Sequence, residues 1–364
     1  MTELKQKLLD EGKYDWYDVR HAPFEIYGLY RGEEDTDPRF RRTPQAIGDG
    51  ANEYTKFLCY HPAGGRIRFS TDARELAIYV HYCFFDRSNH MCFNGECGLD
   101  LYHDDGDRHT YICTMTPNLD TTIEQKSEYY HVDTLISRTP DDNNCYTLNM
   151  PLYCGVDDIM IGVPKGCTIG AGANYRPEKP IVYYGSSITQ GGCASRPGMT
   201  YQSHICRRLN IDYINLGFSG ACRGEKIMVD YLASLEMSAF VSDYDHNAPT
   251  VEHLRNTHYA LYEAIRAAHP DIPYIMITRP DVQGRTEECA VRTAVIRESY
   301  ERALANGDKN VRFIDGADLF AGADAADCTV DTCHPNDLGF WRMANVIGGV
   351  LEASLAEGGG TPMA

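Results

Sequence analysis

The chain has 364 residues, 43% hydrophobic and 24% charged, a composition that excludes a wholly disordered chain and a length that suggests about two domains. Its 34 Lys and Arg stand against 52 Asp and Glu, a formal net charge of −18, which argues against a nucleic-acid backbone or an anionic membrane as partner. An apolar run of about 18 residues is absent from the sequence, so no membrane span is expected.

The N-terminal stretch Met1-Thr2-Glu3-Leu4-Lys5-Gln6-Lys7-Leu8-Leu9-Asp10-Glu11 carries charges throughout. It does not read as a secretory signal, so a cytoplasmic location is expected, with the 14 Cys reduced. The sequence has no CxxC pair. The spacings of Cys92 with Cys97 and of Cys328 with Cys333 suit a zinc knuckle poorly. No metal centre is expected.

Short β segments follow, at Phe24–Leu29, Arg66–Phe69, Leu76–Tyr82, Leu99–His103, Thr110–Thr114, Tyr129–Leu135, Tyr146–Leu152 and Ile159–Val163. Several alternate apolar with polar residues. Gly64-Gly65, Asp104-Asp105-Gly106-Asp107 and Pro140-Asp141-Asp142-Asn143-Asn144 mark turns between them. Many short strands at such spacing predict an N-terminal β-sandwich, jelly-roll-like, over residues 1–175.

The linker Gly170-Ala171-Gly172-Ala173-Asn174-Tyr175-Arg176-Pro177 separates this from residues 176–364. There, apolar runs alternate with helix-length amphipathic segments. The runs are Ile181–Tyr184, Tyr213–Leu216, Ala239–Val241, Ile272–Ile277 and Val311–Ile314. The helical segments are Tyr201–Leu209, Glu225–Leu235, Val251–Ala268, Glu287–Ala305 and Leu338–Leu355, the last with Asp337 as its expected N-cap. The pattern predicts a three-layer α/β/α domain on a parallel, flavodoxin-like sheet.

Ligands of such sheets bind beyond the carboxyl ends of the strands. The first strand ends in Gly185-Ser186-Ser187-Ile188-Thr189, which puts a Ser hydroxyl at the rim. The second leads to Asn215-Leu216-Gly217-Phe218-Ser219-Gly220, where the Gly220 N–H has no side chain to hinder approach. The third ends in Ser242-Asp243-Tyr244-Asp245-His246-Asn247, and the Asn247 amide is a second donor. After the last strand comes Asp331-Thr332-Cys333-His334, in which a carboxylate folds back on an imidazole. Arg279 and His246 are candidates for the substrate pocket, with a structural ion pair an equal reading of Arg279. Each motif alone also reads as an ordinary capping turn; together they place a candidate nucleophile, two oxyanion donors and an Asp–His pair at the rims of strands of one domain. Trp341, on the last helix, reads as a core residue.

The second half resembles the SGNH (GDSL-like) hydrolase superfamily. Gly185 to Thr189, Asn215 to Gly220, Asp243 to Asn247, and Asp331 to His334 resemble its sequence blocks. Ser186 stands where the family usually has Asp, and His246 where it usually has Gly. Gly98-Leu99-Asp100-Leu101-Tyr102 is similar to the Gly-x-Asp-Leu-Tyr signature of an N-terminal domain found before some of these hydrolases. The resemblance implies a Ser187–His334–Asp331 triad and an oxyanion hole from Ser187, Gly220 and Asn247, with no metal or organic cofactor. It also implies a small-molecule or oligosaccharide ester substrate, most simply an acetylated sugar. Two alternatives stand: an acyltransferase on the same triad, and a carbohydrate-binding protein with an inactive hydrolase domain. A homo-oligomer is compatible with the sequence but not read from it.

Overall fold

The structure, a computed structural model, describes residues 2–32, 36–106, 108–117, 127–135, 144–176, 178–280, 286–322 and 324–357. Asp107, the turn residues 140–143 and Pro177 of the expected linker lie outside the described residues. The chain divides into two compact units. One comprises Met1–Arg42, Tyr60–Tyr175 and Arg196–Gly198; the other Thr43–Cys59, Arg176–Ser195 and Met199–Ala364. Two segments therefore depart from a single boundary after Tyr175.

The strands of the first unit are β1 (Tyr14–Asp18), β2 (Glu25–Tyr27), β3 (Arg66–Thr71), β4 (Glu75–Phe85), β5 (Leu99–Asp105), β6 (Arg108–Met115), β7 (Glu128–Thr134), β8 (Asn144–Asn149), β9 (Cys154–Pro164) and β10 (Ile169–Ala171). They form two antiparallel sheets, ordered β1-β9-β4-β7 and β10-β3-β8-β5-β6, with β2 paired to β3. Alternation decides what is buried. Leu76, Ile78, Val80 and Tyr82 of β4 join Ile67 and Phe69 of β3 and Leu99 and Leu101 of β5 in one core drawn from both sheets. Strands β1 and β10 were not among the expected segments, nor was the helix Glu3–Glu11. That helix starts on a Thr2 cap, whose Oγ1 accepts the Lys5 N–H at 3.3 Å, and packs Leu8 with Tyr79 and Met160.

The Gly-x-Asp-Leu-Tyr motif acquires a physical reason here. Asp100 is fully buried on β5. Its carboxylate accepts from Asn149 Nδ2 at 2.7 Å, from Arg196 Nη1 at 2.7 Å and from the Gly198 N–H at 2.8 Å. The Tyr102 hydroxyl takes the same Arg196 nitrogen at 2.5 Å. A Cβ on Gly198 would lie 2.7 Å from Asp100 Oδ2 and 2.6 Å from the Tyr102 ring. The motif thus anchors Arg196–Gly198.

The second unit holds the parallel strands β11 (Ile181–Gly185), β12 (Tyr213–Gly217), β13 (Ala239–Asp243), β14 (Tyr274–Ile277) and β15 (Val311–Ile314). Their order is β12-β11-β13-β14-β15, the doubly wound arrangement with its switch point beside β11. Residues of β11, β13 and β14 are buried throughout, as strands covered by helices on both faces require. The helices Tyr201–Leu209 and Asp337–Glu357 pack together, while Lys226–Ser234, Val251–Ala268 and Thr286–Ala305 follow one another on the other layer. In the helix Val251–Ala268, Leu254, His258, Leu261, Tyr262 and Ile265 form the buried stripe. The helices Gln45–Ala51 and Glu53–Leu58 also belong to this unit, joined by Asn52 Nδ2, which donates to Ala221 O at 3.1 Å and Glu225 Oε1 at 2.6 Å. Among the described residues no helix is long and apolar enough to cross a membrane.

Candidate active site

Register puts three loops at one level of the sheet. Gly185 pairs with Gly217 on one side and with Asp243 on the other. The chain therefore leaves β11, β12 and β13 side by side, carrying Ser186-Ser187, Phe218–Gly220 and Tyr244–Asn247 into the same space.

Ser187 is the first residue of a short helix, Ser187–Gln190. Ser186 is its cap: the Ser186 Oγ accepts the Ile188 N–H at 3.2 Å. Ser is a favoured residue for this position because its side-chain oxygen can accept a free N–H of the first helical turn. Capping thus falls to Ser186 and leaves the Ser187 hydroxyl to face a different partner. That partner is His334, whose Nε2 lies 2.8 Å from Ser187 Oγ.

The imidazole is held from behind. His334 Nδ1 lies 2.7 Å from Asp331 Oδ2. Asp331 Oδ1 accepts two backbone N–H groups, from Cys333 at 3.1 Å and from His334 at 2.7 Å. Burial pushes the Asp331 carboxyl up, but the hydrogen bonds from His334 and Cys333 outweigh it and hold the group below its ordinary value. The turn is closed by the Val330 N–H on His334 O at 3.0 Å and forces Thr332 to a φ of +68°. A β-branched residue rarely adopts that conformation.

Asp337 does not cap the last helix. Asn336 does, its Oδ1 accepting the Gly339 N–H at 3.1 Å. Asp337 is already inside the helix Asp337–Glu357, where its carboxylate takes the N–H of Ser195 at 2.9 Å and the Ser195 hydroxyl at 2.5 Å. It ties the chain after the Ser187 loop to the helix that follows His334.

Gly220 sits third in the turn Phe218–Ala221, closed by the Ala221 N–H on Phe218 O at 3.0 Å, with a φ of +69°. A Cβ there would meet no atom within 4 Å, so the backbone conformation, not crowding, calls for glycine. The preceding Ser219 N–H donates to Gln190 Oε1 at 3.0 Å. Asn247 Oδ1 accepts the Cys222 N–H at 3.3 Å, which turns its amide nitrogen away from Cys222. His246 Nδ1 lies 3.8 Å from Cys333 Sγ, against the turn that carries His334.

Arg279 is buried and taken up by Asp245. Its N–H meets Asp245 Oδ2 at 3.0 Å and its Nε meets Oδ1 at 3.1 Å. Arg292 donates to the carbonyl oxygens of Asp245 at 2.8 Å and Ala248 at 3.1 Å. These two arginines brace the Asp245–Asn247 turn from below. Gln190, Ser195 and Arg292 were missed in the sequence because their partners lie far along the chain; only the proximity of Gln190 to Ser187 gave a signal. Trp341 is 52% exposed, edge-on to His204, not in the core.

Residues 178–352 match the GDSL-like Lipase/Acylhydrolase family. Residues 14–169 match the GxDLY family, the N-terminus of SGNH-hydrolase-type esterases. Among solved structures, a protein of Bacteroides ovatus described as a GDSL-like lipase is 26% identical, with a TM-score of 0.82 over 94% of this chain and 98% of that one. A salicylyl-acyltransferase from a tetracycline biosynthetic pathway shares the fold at 16% identity, TM-score 0.75, over 97% and 99%. A family two carbohydrate esterase from Clostridium thermocellum shares it at 13% identity, TM-score 0.63, over 92% and 99%. No curated protein matches this chain.

Proposed function

Residues 178–352 of this chain belong to the GDSL-like lipase/acylhydrolase family and residues 14–169 to the GxDLY family, and from that premise we propose that the protein is a serine esterase removing acetyl groups from carbohydrates such as acetylated xylo- or manno-oligosaccharides. The observation that carries the reading is the line Ser187 Oγ, His334 Nε2, His334 Nδ1, Asp331 Oδ2, with contacts of 2.8 and 2.7 Å. The carbohydrate part is supported by fold likeness to a carbohydrate esterase.

In this mechanism Ser187 Oγ attacks the ester carbonyl carbon while His334 Nε2 accepts its proton. The carbonyl oxygen becomes an oxyanion, met by the N–H groups of Ser187 and Gly220 and the amide of Asn247. Asp331 keeps the proton of the neutral imidazole on Nδ1 and stabilises the imidazolium. The tetrahedral intermediate expels the sugar alkoxide, which takes the proton from His334. Water, deprotonated by the same imidazole, then attacks the acyl-Ser187 carbonyl. Acetate leaves and Ser187 recovers its proton.

The test is turnover of an aryl acetate, fluorophosphonate labelling of Ser187, and acetate release from acetylated xylo- and manno-oligosaccharides. The expected result is labelled wild type, inactive Ser187→Ala and acetate from at least one glycan. An unlabelled wild-type chain would instead favour a binding protein with an inert hydrolase unit. Product partition with an added sugar alcohol separates hydrolysis from transfer, since the same triad serves both.

A further inference from the structure

A second cluster of chemistry-bearing side chains lies in the first unit. Strands β6 and β7 are the end strands of the two different antiparallel sheets. On β7, Tyr129, His131 and Asp133 pair with Val80, Ile78 and Leu76 of β4. On β6, Cys113 pairs with Leu101 of β5. These β4 and β5 partners are all core residues. Directly paired residues share a face of the sheet, so all four side chains face the inter-sheet space. An apolar residue is the ordinary occupant of such a position. Here the thiol of Cys113, a ring nitrogen of His131 and a carboxylate oxygen of Asp133 all lie within 4.8 Å of one another.

The imidazole is oriented for this. The Tyr129 hydroxyl lies 3.1 Å from His131 Nδ1, and the Tyr129 and His131 rings stack with centroids 6.0 Å apart. Nε2 points to Asp133 Oδ2 at 3.3 Å. A hydrogen bond on the far ring nitrogen is the usual support of a metal-ligating His. One thiolate, one imidazole and one carboxylate form a donor set for a borderline-soft divalent ion, not for Mg²⁺ or Ca²⁺.

We infer that Cys113, His131 and Asp133 form a Zn²⁺ site that clamps β6 to β7 and so joins the end strands of the two sheets. Tetrahedral ligation with bonds of roughly 2.0–2.3 Å brings donor atoms to roughly 3.5 Å of one another, a contraction of at most about 1.3 Å from the observed upper bound of 4.8 Å. The fourth position is filled by water. Binding displaces the Cys113 proton to solvent, so one proton is released per ion. Burial, and then the neighbouring Asp133 carboxylate, hold the thiol protonated until the ion replaces that proton. The site was invisible in the sequence because its members sit on strands separated by a long connection, with none of the spacing of a zinc knuckle.

The test uses the full chain, cleared with a chelator and titrated with Zn²⁺ by calorimetry and with Co²⁺ by absorption. The expected result is one ion per chain, a thiolate-to-Co²⁺ charge-transfer band, and a Zn²⁺-dependent rise in Tm. Cys113→Ser and His131→Asn should each weaken binding about 100-fold or more, abolish or diminish the band, and keep the wild-type circular dichroism spectrum. No saturable binding to the wild type, or unchanged affinity in Cys113→Ser, would overturn the site. Aryl acetate turnover is independent of this outcome, because the variants lie outside the Ser187 constellation.

Discussion

The side-chain oxygen of Gln190 accepts the backbone N–H of Ser219 at 3.0 Å, and so fastens the helix that begins at Ser187 to the turn that carries Gly220. The proposed nucleophile and oxyanion donor come from different strands, yet one buried amide ties their loops together.

Replacing Gln190 by Ala should lower kcat on an aryl acetate by roughly 10- to 100-fold, since small misplacements of reacting groups cost rates of that order. KM should change little. The measurement is steady-state kinetics well below the Tm of the variant. A wild-type kcat would mean that the turn holds Gly220 without help.

Asp331→Asn should be more damaging than its near-isosteric shape suggests. The amide oxygen still accepts the Cys333 and His334 N–H groups, so the turn survives. The amide nitrogen then faces Nδ1 and places the imidazole proton on Nε2, toward Ser187. We expect a loss of about 10³–10⁴ in kcat with retained thermal stability. Equal kcat for wild type and variant would remove Asp331 from the mechanism.

Thr332 holds a φ of +68°, a conformation that costs a residue with a Cβ about 1–2 kcal/mol. Asn tolerates it better. Thr332→Asn should raise stability by about 1 kcal/mol, read as a higher urea midpoint at constant m. An unchanged midpoint would show that the strain is relieved elsewhere.

His258 is wholly buried, parallel to the Tyr244 ring, and among the described residues neither ring nitrogen has a hydrogen-bond partner. Burial depresses its pKa from 6.5 to about 4. The unfolded chain therefore binds a proton that the folded chain refuses between those values, so stability falls as pH drops from 6.5 toward 4. The full contribution is about 3 kcal/mol. His258→Leu should flatten that part of the stability profile and make the protein more stable at pH 5, measured by urea denaturation from pH 7 to 4.5. A parallel profile in the variant would assign the acid sensitivity to other groups.

Much of this protein was legible in the chain itself. The continuous apolar runs of β11 to β15 mark buried parallel strands, and in β4 alternation picks out Leu76, Ile78, Val80 and Tyr82 as the face that enters the inter-sheet core, while Ala77 and Tyr79 on its other face are buried as well. Gly185-Ser186-Ser187 and Asp331 to His334 were visible because each is a local turn with a recognisable residue pattern, although only the tertiary structure brought Ser187 to His334. Tertiary structure decided what depends on distant residues: the division of labour between Ser186 and Ser187, the capping role of Asn336 in place of Asp337, and the commitment of Arg279 to Asp245. It alone brought Asp100 to Gly198 and Cys113 to His131. The reason is geometric. Spacing along a chain fixes which way neighbouring side chains point, whereas strand order and register, set by burial of whole faces, fix which distant groups can share a hydrogen bond.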